Sequence, residues 1–230
     1  MATGKIRGRE FKKKVMELVF SNNFEQDLGT LCQLPARKVI NPLFSFLLST
    51  DSKTKWATVT AFGAVVSKLA DQDMESARVI MRRLMWQLND ESGGIGWGCP
   101  EAMGEILACH EGLAREYARV LVSYIREEGN FLEHEPLQQG SLWGICRVAQ
   151  VRPKLIRDAV PHLLRFLEAR DATLRGMAVW ALGLLGAREV RSQMECLATD
   201  GDRIAIYRDR KIKITLVKDL AKEALEKIGR

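Results

Sequence analysis

A motif that returns about every forty residues constrains this chain more than any other feature. Its clearest copy is RDATLRGMAVWALGLLGA, Arg170–Ala187. It reads as the end of one helix, a turn opened by Asp171, and a second helix dense in small and apolar residues. With Gly183 as anchor, weaker copies put Gly63, Gly104 and Gly144 at the same phase, and the closing segment AKEALEKIG puts Glu226 there, at intervals of 41, 40, 39 and 43 residues. An amphipathic apolar segment precedes each anchored helix: NPLFSFLL, RVIMRRLMWQL, ARVLVSYI, VPHLLRFLEA and VRSQMECLA. Two helices per forty-residue unit predict an α-solenoid, because a lone helix pair leaves one apolar face bare and needs a stacked neighbour. Glycine inside a helix costs roughly 1 kcal/mol against alanine, so its recurrence at one phase predicts close approach of neighbouring backbones.

The segment RDATLRGMAVWALGLLG resembles the bacterial HEAT-like repeat proteins, in the broad group that includes the phycobilisome-lyase-type repeats. It follows that group's acidic-x-x-x-Arg-x-x-Ala-x-x-Ala-Leu-Gly pattern, with Arg175 at the basic position. The resemblance covers about Val39–Gly229. Lys55 fits the basic position in the first copy, and the Gly104, Gly144 and final copies have no equivalent. The resemblance implies architecture and, more weakly, a partner, since one fold serves many functions.

The expected fold is all-α: a HEAT/armadillo-like solenoid of about five helical pairs in one domain. Residues 1–8 form a disordered basic tail, 9–35 an N-terminal helical cap, and 36–230 the repeats. The cap holds helices at Glu10–Ser21 and Asn23–Gln33. First and second helices of the repeats, A and B, are expected at Ala36–Leu48 and Ser52–Leu69, Met74–Leu88 and Pro100–Cys109, Gly112–Glu127 and Gln138–Gln150, and Leu155–Arg170 and Ala172–Leu185. The last repeat has a short A helix, Val190–Leu197, and a closing helix, Val217–Ile228. Between them Ile204, Ile206, Ile212, Ile214 and Leu216 alternate around the polar turn Arg208–Asp209–Arg210. Period two predicts a small β-hairpin inserted in that repeat.

Hydrophobic residues make up 47% of the chain, ample for a core, and no apolar run reaches the length of a membrane span. The basic N-terminus lacks an apolar signal core. Five scattered cysteines with no Cys-x-x-Cys pattern read as reduced, and the expected location is the cytoplasm. The net charge of +6 sits mostly in the first fourteen residues. A basic tail on a nearly neutral body makes nucleic acid the least favoured partner.

The three departures from minimal repeat design, NDESGGIGWG, GNFLEHEPLQQ and the hairpin, all fall in A-to-B connections. Insertions map to loops and loops carry sites, so this edge is the candidate binding surface. In the first loop Gly93, Gly94, Gly96 and Gly98 surround Trp97 just before a helix N-terminus, which favours an anion. The sequence lacks the spacing of a dinucleotide or Walker loop. Glu101 and Glu105, four apart, share one helix face. With Cys99, His134 and Glu135 they form a set of legitimate metal-ligand types whose spacing does not identify a metal site, and no metal or cofactor is assigned. His110–Glu111 and His134–Glu135 do not fall at equivalent repeat positions, which sets the chain apart from the HEAT-like, iron-dependent deoxyhypusine hydroxylases. Arg175, Trp180, Tyr207, Arg208, Arg210 and Lys211 read either as a basic, aromatic rim or as ordinary packing and surface. No catalytic constellation is apparent.

Two functional readings follow. The first is a non-catalytic scaffold that binds a protein or peptide through the solenoid surface and its loop edge. The alternative is a small-molecule- or metal-binding protein, lyase-like by analogy, with its site at loop 89–98 and the adjacent acids.

Overall fold

The computed structural model describes residues 8–89 and 96–229. Helices α1 (Gly8–Val19) and α2 (Phe24–Gln33) form the N-terminal pair. The A helices that follow are α3 (Ala36–Leu47), α5 (Met74–Leu88) and α7 (Glu111–Ser123). They alternate with the B helices α4 (Ser52–Gln72), α6 (Cys99–Cys109), α8 (Glu135–Val151), α10 (Ala172–Leu184) and α12 (Val217–Gly229). The chain is a HEAT/armadillo-like solenoid, all-α apart from one two-stranded antiparallel sheet near its C-terminus.

The B helices form one layer, packed in chain order. The repeated glycines set the spacing of that layer. A Cβ on Gly104 would collide with the Gly144 Cα, and one on Gly183 would lie 2.5 Å from the Ala224 Cα. On Gly63 it would meet the Glu105 side chain at 2.5 Å. The recurrent glycine therefore permits near-contact of neighbouring backbones. In the last repeat the register differs from expectation: Ala224, not Glu226, lies against Gly183, and Glu226 is exposed. A carboxylate cannot occupy that dry contact, whereas a methyl group two positions earlier can.

Local chemistry explains the helix starts. Asp51, Asp73 and Asp171 cap α4, α5 and α10 by accepting the amides of Thr54, Ser76 and Leu174. His110 does the same for α7 through Nδ1, 3.1 Å from the Leu113 nitrogen. Helix α8 begins at Glu135, earlier than the expected Gln138, with Pro136 in its first turn. His134–Glu135 is thus a helix start and not mid-loop. The fourth A helix is not the continuous Leu155–Arg170 expected. It is a 3-10 segment (Pro153–Ala159), one α-turn α9 (Val160–Leu163) and a second 3-10 segment (Leu164–Glu168). Pro161 supplies no N–H there, and Ile156 leaves helical geometry at φ −132°. The fifth is reduced to α11 (Arg191–Glu195) between short 3-10 turns.

The hairpin pairs β1 (Arg203–Arg208) with β2 (Lys211–Leu216), Arg208 facing Lys211 and Tyr207 facing Ile212. Its two turn residues, Asp209 and Arg210, both take positive φ, 53° and 59°, the geometry that matches a hairpin's twist. Ile204 and Ile206 are buried, and Ile204 fits against Gly176 of α10. The strand tip reaches α4, three helices away from α10 in the B layer. Three interhelical steps span about 24–30 Å along a flat row, whereas a six-residue strand spans about 20 Å. The side chains at its two ends, Ile204 on α10 and Tyr207 on α4, close the remaining distance.

Candidate functional site

The hairpin tip contacts α4, α8, α10 and α12 of the B layer and α2 of the N-terminal pair. The Tyr207 ring stacks on Trp56 of α4 with centroids 4.6 Å apart and planes 7° from parallel. Its hydroxyl shares a 3.0 Å hydrogen bond with the Thr60 hydroxyl. The Trp143 indole of α8 donates to the Tyr207 carbonyl at 2.7 Å, and Trp56 and Trp143 are themselves 4.7 Å apart. Arg208 makes two bonds to Glu223 of α12, at 2.7 and 2.8 Å, and lies over the Trp180 ring. Arg210 pairs with Glu25 of α2. The hairpin is thus a strap that joins the last repeat to the first and to the N-terminal pair.

Two acids of the candidate set, Glu101 and Glu105, are already engaged, and Glu105 lines the cavity under the strap. Glu101 is buried and ion-paired with Lys55 of α4 at 2.5 Å. Glu105 is buried and held by Arg147 of α8 at 2.6 Å. Two carboxylates on one helix face suit a solvated surface, a metal or a cationic partner. The stacking of repeats instead brings a base from each side, and among the described residues no group of three or more ligand-type side chains is placed to hold an ion. One oxygen of Glu101, Oε2, has no hydrogen-bond partner and lies against Gly140.

Arg175 has a comparable role. It bonds Asp200 at 2.8 Å, Asp202 at 2.6 Å and the carbonyls of Ala169 and Arg170. Lys55 and Arg175, which share a repeat phase, therefore both bind acids of the following repeat. Neither contributes to an open basic rim. Trp180 is buried.

Of the Gly-rich loop, Gly93 and Gly94 lie outside the described residues. Gly96 is buried, with the Gln87 carbonyl 2.9 Å from where its Cβ would be, and Gly98 takes φ +77° to start α6. Trp97 is half-buried against the core and meets His134 edge-on at 6.0 Å. Two A-to-B connections thus touch along one edge, as their order implies. His134 and Glu135 are exposed.

Two openings flank the strap. A polar cavity of about 210 Å³ lies under its turn, lined by Glu105, Arg147, Gln150, Tyr207 and Arg208 among others. A larger cleft of about 960 Å³ separates the strap from the N-terminal pair, with Phe20, Phe24, Lys53, Trp56, Lys211 and Ile212 on its walls. The sequence did not single out Phe20, Phe24, Trp143, Arg147 or Glu223. Each has the ordinary pattern of a packed or solvated helix residue, and only tertiary placement brings them together.

Comparison with known proteins places the fold in a class. Residues 135–185 match the HEAT-like repeat model. A relative from Archaeoglobus fulgidus, named only as an uncharacterized protein, is 26% identical over 193 residues, which is 80% of this chain and 94% of that one. Among solved structures the fold is similar to a designed armadillo repeat protein, with 15% identity, a TM-score of 0.57 and coverage of 96% of this chain and 92% of that one. It is also similar to a designed armadillo repeat protein in complex with the peptide (KR)4, with 16% identity, a TM-score of 0.54 and coverage of 95% and 99%. No helix among the described residues is long and apolar enough to cross a membrane.

Proposed function

We propose that the protein is a non-catalytic scaffold that holds a protein or peptide partner, and that the partner docks at the cleft between the strap and the N-terminal pair. The carrying observation is that cleft itself. The strap covers part of the B layer, and beside it Phe20, Phe24, Trp56 and Ile212 line an open apolar trough. Contiguous uncovered apolar surface of this kind is where folded proteins meet partners. The bare repeat groove is not the site in this reading, because the chain's own Tyr207 and Arg208 sit on it. The likeness to a designed repeat protein with a bound peptide supports the binding class and says nothing of the partner's identity. Five free cysteines favour a reducing compartment such as the cytoplasm.

The test is capture with the intact protein as bait, compared with the double variant Phe24→Glu, Ile212→Glu. A partner retained by the parent and lost by the variant, with the circular dichroism of both unchanged, is the expected result. Equal retention by both would move the site elsewhere on the solenoid.

A further inference from the structure

The two strands of the strap are not equally protected. In β1, Ile204 and Ile206 are buried, whereas Lys211, Ile212, Lys213 and Ile214 of β2 are all exposed, Ile214 at 64%. The two-residue turn makes Arg208–Lys211 the hydrogen-bonded pair beside it, so alternation makes Tyr207–Ile212 and Ala205–Ile214 non-hydrogen-bonded pairs. The N–H and C=O groups of those residues point out of the hairpin. On the β1 side the Tyr207 carbonyl is taken by Trp143. On the β2 side, among the described residues, no strand pairs with the outward groups of Ile212 and Ile214. An open edge carrying exposed isoleucines is a template for another strand.

Side-chain alternation states which strand. Ile212 and Ile214 lie on one face of β2, Lys211 and Lys213 on the other. Opposite charges and apolar pairs across strands are favourable, and like charges directly opposite are not. Lys213 has only Asp209 as an ion-pair partner and Lys211 has none within 4 Å among the described residues. A second copy pairing edge to edge through β2 would set lysine against lysine, so the edge selects against itself. Lys53, like Lys211, lines the cleft and adds a further cation to it.

We propose that β2 is a β-augmentation edge that takes an extended partner segment alternating acidic and apolar residues. Its apolar side chains pair with Ile212 and Ile214, and its carboxylates with Lys211 and Lys213. The segment runs along the mouth of the cleft, so the inference rests on the docking reading above and gives the partner its chemistry.

The experiment titrates the full-length protein with a capped Glu-Val-Glu-Val-Glu-Val peptide and follows amide exchange by nuclear magnetic resonance. Binding should slow exchange at Ile212 and Ile214 by tenfold or more. Lys211→Glu with Lys213→Glu should weaken that peptide at least tenfold and create binding of the Lys-Val counterpart. Ile214→Pro removes an outward N–H and spares the hairpin ladder, so it should abolish binding without loss of the Tyr207–Trp56 near-ultraviolet signal. N-methylation of the peptide at valines and at glutamates should differ, one set blocking binding and the other not. Absence of binding at millimolar peptide, or binding that leaves both amides unprotected, overturns strand addition. The cleft reading fails separately, when partner capture is indifferent to Phe24→Glu with Ile212→Glu.

Discussion

The Tyr207 ring lies flat on the Trp56 indole, 4.6 Å from centroid to centroid, and thereby ties the last repeat to the first. Most contacts in a solenoid join neighbours, so its stability is close to a sum of local terms. This pair couples distant repeats directly. Tyr207→Ala should destabilise the protein by about 2–3 kcal/mol, from lost burial and the lost Thr60 bond. The cycle with Trp56→Ala should give a coupling of about 1 kcal/mol. Urea unfolding of the four proteins measures both, and a purely additive cycle would remove the strap's role.

The Gly104–Gly144 contact should tolerate no side chain. Gly104→Ala forces backbone against backbone and is expected to cost about 3 kcal/mol, the upper range for overpacking. Gly29 in α2 has open space where a Cβ would lie, with nothing within 4 Å. Gly29→Ala should stabilise by about 0.5–1 kcal/mol through helix propensity alone. Thermal midpoints of the two variants should therefore move in opposite directions.

Glu105 and Arg147 are mutually dependent. Their side chains are 9% and 27% exposed, so removal of either strands a largely buried charge. Glu105→Ala is expected to cost about 2–3 kcal/mol, somewhat below a fully buried pair. Arg147→Met made in the same protein should recover most of that loss. The fully surface pair Arg115–Glu111 should contribute far less, because water and salt screen it. Denaturation midpoints at neutral pH distinguish the two cases.

Protonation should loosen the strap from one side. The Arg208 hydrogen bonds hold the Glu223 carboxyl below the usual carboxylate range, with the Arg208 and Lys227 charges adding to this. A folded pKa below the unfolded one means a contribution fully present above about 4.3, the unfolded glutamate value, and lost as pH falls through the folded value. The stability difference between the parent and Glu223→Gln should be constant from neutral pH to about 5 and should shrink below about 4. Unfolding curves at a series of pH values check this, and a difference that persists unchanged in acid would assign the stability to packing.

Two thiols should be silent in the native state. Cys99 and Cys146 are fully buried, and burial pushes both thiol pKa values up. Since the thiolate is the reactive form, neither should react with a disulfide reagent until the chain unfolds. Exposed Cys196 should react at once. Mass mapping of the modified sites gives the order.

Much of the architecture was legible in the residues. Glycine at one phase in four copies, the aspartate at a helix start and isoleucines alternating around a polar turn each act over a few neighbours, and local geometry reads them out directly. The broken fourth A helix was also written in Pro161, although apolar periodicity masked it. The candidate acids were legible as a pair on one face but not as paired residues. Lys55 and Arg147 come from flanking repeats, and nothing in their spacing announces which carboxylate they meet.

The sequence by itself determined the repeat, its two helices and the inserted hairpin, because propensity, capping and hydrophobic period are short-range properties. Only the tertiary structure decided where that hairpin goes. Stacking of the B helices brings Trp56, Trp143 and Glu223 within reach of Tyr207 and Arg208, and the hairpin then covers the shared groove and leaves β2 and the neighbouring cleft open. That placement accumulates from the offset and rotation at every helix contact, so no single stretch of residues carries it.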